Sequence, residues 1–208
     1  MKALKRWLYK RLKPEVWHKF HWEIDREKPI EETCFVVFDT ETTGLDLKRD
    51  EAISIGAVKI EGLKIDLSKS FYRLLKPSRA FADSIKVHGI TPQDLKEAKE
   101  RREVCQEFIE YAKGCLLVGY FVHIDIAMIR RLAEEECDGF FYPYALDLLD
   151  MIGEERASSL EELAKKFKIP TSTLHNALED AYTTALILLR VLRHENYRKV
   201  RDLPLKVV

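Results

Sequence analysis

Asp39 and Glu41 stand two residues apart, directly after the apolar run Cys34-Phe35-Val36-Val37-Phe38. In an extended chain residues i and i+2 share a face, so both carboxylates project together while Thr40 points away. Neighbouring anions repel, and a hard divalent cation such as Mg²⁺ or Mn²⁺ between them offsets that repulsion. Gly44, just beyond, lets the backbone come close to a ligand. The same spacing equally suits two acids that cap or solvate a loop.

Two further acids sit in contexts of interest. Asp125 follows the apolar stretch Leu116 to Tyr120 and opens a helical pattern carried by Ile124, Met128 and Leu132. On its own it reads as a first-turn acid on the helix dipole, an effect of about 0.3 to 1 kcal/mol. Asp180 shares a helix face with Thr184, Ile187 and Val191, beside the apolar stripe Ala181, Ala185, Leu188 and Leu192. A carboxylate at the edge of a packed face needs a partner. His175 precedes it by five residues, next to Asn176, a helix-capping residue type. With an ordinary pKa near 6.5, an imidazole beside acids suits general-base work at neutral pH.

The elements that must position these groups follow from periodicity. Strands are expected at 34–39, 52–60, 71–75, 116–120 and 145–149. Helices are expected near 80–87, 92–111, 123–136, 160–167 and 177–193. Three strands followed by alternating helices and strands predict an α/β domain, a mixed sheet of about five strands with helices on both faces.

Composition sets the limits. The 208 residues carry 35 Lys+Arg and 35 Asp+Glu, so net charge says nothing about a polyanionic partner, and 46% hydrophobic residues suit a packed core. Cys34, Cys105, Cys115 and Cys137 lack zinc-type spacing and read as reduced, buried thiols, which favours the cytoplasm. No secretory signal or membrane span is recognisable. Only two Asn and two Gln accompany 34% charged residues, a bias seen in proteins from hot environments.

Charge is unevenly spread. Residues 1–22 hold seven Lys/Arg, one acid and all three Trp, leaving the remaining chain net −6. Leu4, Trp7, Leu8 and Leu12, then Val16, Trp17, Phe20 and Ile24 after Pro14, predict two short basic amphipathic helices. The chain is expected to divide into a basic, Trp-rich helical extension (1–32), a main domain (33–195) and a short tail (196–208). The extension suits a nucleic-acid tether, a membrane-surface helix, a docking helix or simple packing against the acidic body.

Taken in order, V-V-F-D-T-E-T-T-G-L (36–45), V-H-G-I-T (87–91), L-V-G-Y-F-V-H-I-D (117–125) and H-N-A-L-E-D-A (175–181) closely resemble the DEDDh family of 3′-to-5′ exonucleases. The D-T-E-T-T-G form is most similar to the proofreading epsilon subunit of bacterial replicative DNA polymerase and its stand-alone relatives. The resemblance implies a ribonuclease H-like fold in which Asp39, Glu41, Asp125 and Asp180 gather two divalent cations, Mg²⁺ or Mn²⁺, and His175 activates the attacking water. It further implies that Thr42, Gly44, Val87 and His88 line the pocket for the terminal nucleotide. One departure stands out: the second motif usually reads G-H-N, where this chain has Gly119-Tyr120-Phe121. Aromatics there could stack on bases instead. Asp147 would act only from behind the ligand set, and His123 and Glu179 would have no part in it.

The expected activity is release of nucleoside 5′-monophosphates from DNA 3′ ends, single-stranded or frayed. An exoribonuclease is the nearest alternative, since no motif reads the 2′-hydroxyl. A catalytically silent nucleic-acid-binding or polymerase-docking module is the alternative of a different class. With only a short tail after the last helix, a stable polymerase complex is not expected.

Overall fold

The computed structural model describes residues 2–44, 46–79, 84–153, 159–171 and 175–208. Phe35, Val36, Val37 and Phe38 are all at most 1% exposed, because their strand, β1 (Phe35–Thr42), runs through the middle of the sheet. It pairs antiparallel with β2 (Ala52–Glu61) and parallel with β5 (Leu116–Gly119). β5 pairs parallel with β6 (Tyr144–Asp147). The short strands β3 (Lys64–Ile65) and β4 (Phe71–Leu74) both pair with β2, and β7 (Lys206–Val207) closes the other edge against β6. The mixed sheet therefore has seven strands rather than about five. The two unforeseen ones span two residues each, too short for a period-2 pattern to register.

Even- and odd-numbered residues of β1 face different layers. Val36 and Phe38 pack with α4 (Arg101–Ala112) and α5 (Val122–Cys137), around Phe108, Ile126 and Ile129. Phe35 and Val37 pack with α7 (Leu160–Lys166) and α8 (Ala177–His194), around Leu163, Leu188 and Leu192. Helices thus cover both faces, and the strand that carries Asp39 and Glu41 continues out of a dry core.

The expected helix at 92–111 is two pieces. A 3₁₀ turn spans Asp94–Glu97, and α4 starts only at Arg101. The break arises because Lys99 is drawn onto the end of β4: its N–H donates to Leu74 O and its carbonyl accepts from Lys76 N. Of the helix expected at 80–87, residues 80–83 lie outside the described residues, and α3 covers Ile85–His88. A one-turn helix, α6 (Leu148–Ile152), follows β6 directly.

The extension forms α1 (Lys2–Leu12) and α2 (Pro14–Phe20). Trp17 and Phe20 are buried, Phe20 within the main core, and Trp22 Nε1 donates to Cys115 O at 2.8 Å. Ile30 is also buried, and its N–H donates to Arg198 O, so segments at opposite ends of the sequence meet. The cysteine expectation is corrected: Cys34 and Cys115 form a disulfide where β1 and β5 begin side by side, and Cys105 and Cys137 are free and buried. The pairing of parallel neighbours across 81 residues brings these two together, a proximity that sequence spacing does not display. The case for a reducing compartment made from the cysteines falls with it. No helix among the described residues is long and apolar enough to cross a membrane.

Candidate active site

Asp39 and Glu41 leave the core on the α8 face of β1, as alternation requires. The first turn of α8 brings Asp180 to meet them. One carboxylate oxygen from each of Asp39, Glu41 and Asp180 lies within 4.8 Å of the others. Asn176 starts α8 as expected, its side-chain oxygen accepting from Leu178 N at 3.0 Å and Glu179 N at 3.3 Å. Thr184, Ile187 and Val191, on the same face as Asp180, are buried.

Asp125 approaches from the opposite layer. It is not among the three acids that meet within 4.8 Å. Its Oδ1 instead accepts from Thr40 N at 3.0 Å and Thr40 Oγ1 at 2.7 Å. Thr40 does point away from Asp39 and Glu41, and it thereby holds the fourth acid against the same strand. Asp147 works from behind. Its Oδ2 accepts from Val122 N and its Oδ1 from Leu149 N, which ties the start of α5 to the end of β6. His123 and Glu179 are exposed.

The electrostatics of the four acids point one way. Burial, then Asp125, Glu41 and Asp180, hold the Asp39 carboxyl well above the ordinary range. Burial and Asp180 push Glu41 up to about 7. Burial raises Asp125 to about 7, against the pull of the Thr40 hydrogen bonds, and raises Asp180 to about 6, against the pull of His175. Buried carboxylates this crowded lack positive charge. An all-oxygen donor set of this kind suits Mg²⁺ or Mn²⁺.

His175 sits at the mouth of the cluster, partly exposed. Its Nδ1 is 3.5 Å from Asp180 Oδ2, and its Nε2 is 3.5 Å from Glu161 Oε1, on the first turn of α7. Glu161 escaped sequence reading because it lies in a separate helix with no motif around it.

A groove of about 440 Å³ runs beside the acids, and Asp39, Glu41 and Asp125 form part of its wall. Thr42, Gly44, Val87 and His88 all line it, together with Tyr120 and Phe121. Thr42 Oγ1 donates to Gly44 O, closing the turn after β1, and Leu45 lies outside the described residues. A Cβ on Gly44 would stand 2.5 Å from an Asp50 carboxylate oxygen. His88 is buried, and its Nδ1 accepts from Ile90 N at 3.0 Å, so Nε2 carries the proton. Phe121 occupies the left-handed region, with φ 53°. Gly56 was also missed. A glycine inside a strand pattern marks a close approach, here that of α8.

A family model described as Exonuclease matches residues 36–188. The chain belongs to the exonuclease family. This exonuclease-family chain is 33% identical over 163 residues to the DNA polymerase III subunit epsilon of Aquifex aeolicus, covering 76% of this chain and 80% of that protein. It is 35% identical over 163 residues to the PolC-type DNA polymerase III of Thermotoga maritima, of which it spans only 12%. In fold it is similar to E. coli Exonuclease I in complex with a dT13 oligonucleotide, with TM-score 0.64, 19% identity, and 77% of this chain and 41% of that chain covered. A similar match, TM-score 0.64 at 19% identity, is made to cell-death related nuclease 4, covering 81% of this chain and 66% of that one. The DEDDh resemblance and the ribonuclease H-like α/β fold are borne out.

Proposed function

We propose that the chain is a 3′-to-5′ exonuclease that uses two divalent cations to hydrolyse the terminal phosphodiester of DNA 3′ ends and release nucleoside 5′-monophosphates. The observation that carries this reading is the meeting of Asp39, Glu41 and Asp180 beside a groove lined by Thr42, Gly44, Val87 and His88. When bound, a pair of divalent cations supplies charge stabilisation to both the attacking and the leaving oxygen of an in-line displacement. Asp39, Glu41, Asp125 and Asp180 would hold them, with Thr40 keeping Asp125 in place.

The groove positions the last nucleotide. Val87, 54% exposed, offers an apolar surface to its base, and the turn from Thr42 to Gly44 lines the groove beside it. Water attacks the phosphorus, the bond to the 3′ oxygen of the preceding nucleotide breaks, and the attacking water loses a proton. His175 takes it as the general base. Asp180 and Glu161, each 3.5 Å from one of its nitrogens, orient the ring. A silent docking module has no use for four crowded carboxylates.

The test is digestion of matched 5′-labelled DNA and RNA oligonucleotides with Mg²⁺ or Mn²⁺. Stepwise shortening from the 3′ end, lost in Asp39→Ala and reduced at least about 100-fold in His175→Ala, is expected. Shortening that survives both substitutions overturns the mechanism, and a preference for RNA replaces DNA as the substrate.

A further inference from the structure

The helix α1 packs on the body through Tyr9, whose ring centre lies 3.7 Å from that of Phe140, and leaves its leucines outward. Leu4, Leu8 and Leu12 are 62%, 40% and 66% exposed, whereas Arg6 is partly buried and Lys10 lies exposed at the rim of a cleft that both line. This cleft of about 540 Å³ lies between α1, α2 and the β6–β7 edge. Its other walls include Trp7, Trp17, Trp22 and Tyr144. The Arg6 guanidinium is held between the buried Trp17 and the partly buried Tyr144, 4.7 Å and 4.5 Å from their ring centres, which leaves Trp7 and Lys10 as exposed aromatic and cationic groups of the cleft. Trp7 is 57% exposed, and Glu23, the acid in this lining, lies 3.8 Å from Lys10.

A further cavity adjoins both the cleft and the candidate active site, sharing a wall residue with each. Phe121 forms part of the wall of the catalytic groove and of this second cavity, of about 490 Å³. Val207, another wall residue of that second cavity, also lines the cleft. The acids that line the second cavity are engaged. Asp147 caps Val122 and Leu149, and Asp150 pairs with Lys206 at 2.6 Å. Lys2 adds a cation at the same place.

We propose that the cleft is a second binding site for single-stranded nucleic acid, gripping the strand on the 5′ side of the nucleotide held in the catalytic groove. A polyanion with flat bases matches the exposed Trp7 beside Lys10, and residues 1–22 carry seven Lys/Arg against one acid. The inference rests on the exonuclease reading for the direction of the strand. It implies that a strand long enough to pass Phe121 and reach Trp7 binds more tightly than one that fills the groove alone.

The test uses the full chain in EDTA, so that binding is measured without cleavage, with 5′-labelled oligothymidylates of about 4 and about 20 nucleotides. The longer strand is expected to bind at least about tenfold more tightly. Trp7→Ala should remove about tenfold of its affinity and leave the shorter strand's unchanged. Lys10→Ala should flatten the salt dependence for the longer strand by about 0.7 in log–log slope. Both side chains are exposed enough that folding is not at risk, and a circular dichroism melt checks it. Equal affinity for the two lengths, or equal loss for both in Trp7→Ala, overturns the proposal. So does binding to phosphatidylserine vesicles that depends on Trp7 while oligonucleotide affinity does not, which makes the segment a membrane-surface helix. Cleavage with Mn²⁺ is measured in parallel: its absence sinks the exonuclease reading alone, whereas cleavage without the length effect sinks the second site alone.

Discussion

Gly56 stands directly across the β1–β2 ladder from Asp39, and the first turn of α8 rests on it. A Cβ at Gly56 would lie 2.1 Å from Leu178 N and 2.2 Å from Ala177 C, both backbone atoms that cannot rotate aside. The missing side chain is what lets Asp180 come down to Asp39 and Glu41. Gly56→Ala is expected to destabilise by about 1 to 3 kcal/mol through overpacking. It should reduce exonuclease turnover by about 100-fold, because displacement of the helix separates the acids. Melting and kinetics on the same preparation check this, and activity within twofold of wild type would show that α8 does not set the site.

Metal removal should reveal the raised carboxyls in the pH dependence of stability. A carboxyl whose folded pKa exceeds its unfolded value keeps protons that the unfolded chain has already lost, so stability falls as pH rises between the two. For Glu41 the window runs from 4.5 to about 7. Asp39, Asp125 and Asp180 are shifted in the same direction. In EDTA the melting temperature is expected to be highest near the acid end of this window and to decline toward neutrality. The Glu41 contribution alone is on the order of 3 kcal/mol. Saturating Mn²⁺ should reverse the decline, since bound cations favour the ionised forms. A metal-free melting temperature that rises from pH 5 to pH 7 would contradict the carboxylate crowding.

Phe121 tests the departure at the second motif. It adopts a left-handed backbone, which a non-glycine residue pays for by roughly 1 kcal/mol and which Asn tolerates better. Phe121→Asn is expected to raise stability by up to about 1 kcal/mol while weakening substrate affinity, because the groove loses an aromatic wall. Urea denaturation and the Michaelis constant check the two halves separately. A destabilised variant with unchanged KM would mean that the ring serves packing alone.

Much of this was readable from residue types. The run Phe35 to Phe38 announced a strand covered on both faces, and the step from Phe38 to Asp39 marked where it leaves the core. Asn176 signalled the start of α8, and Asp180 with it. What escaped depended on contacts across the chain. The strands β3 and β7 are two residues long and exist only because β2 and β6 offer them an edge. Lys99 broke an otherwise helical pattern by hydrogen-bonding to the end of β4. Cys34 and Cys115 became partners through parallel strand pairing. The buried Arg101 lies 2.8 Å from the buried Glu51, a pair that joins α4 to the start of β2 and that local sequence leaves looking like two solvated charges. Thr40 was placed on the correct face, yet its partner Asp125 comes from a helix 85 positions further along.

The most direct measurement is a Mn²⁺ titration of the metal-free protein, followed by calorimetry or by the electron paramagnetic resonance of free Mn²⁺, on wild type, Asp39→Asn and Asp180→Asn. Wild-type protein is expected to take up two ions per chain at neutral pH. Asp39→Asn should lose tight binding altogether, and Asp180→Asn at least one ion, with the fold retained. Uptake that is unchanged in both variants would contradict the assignment of these carboxylates as the cation-binding centre.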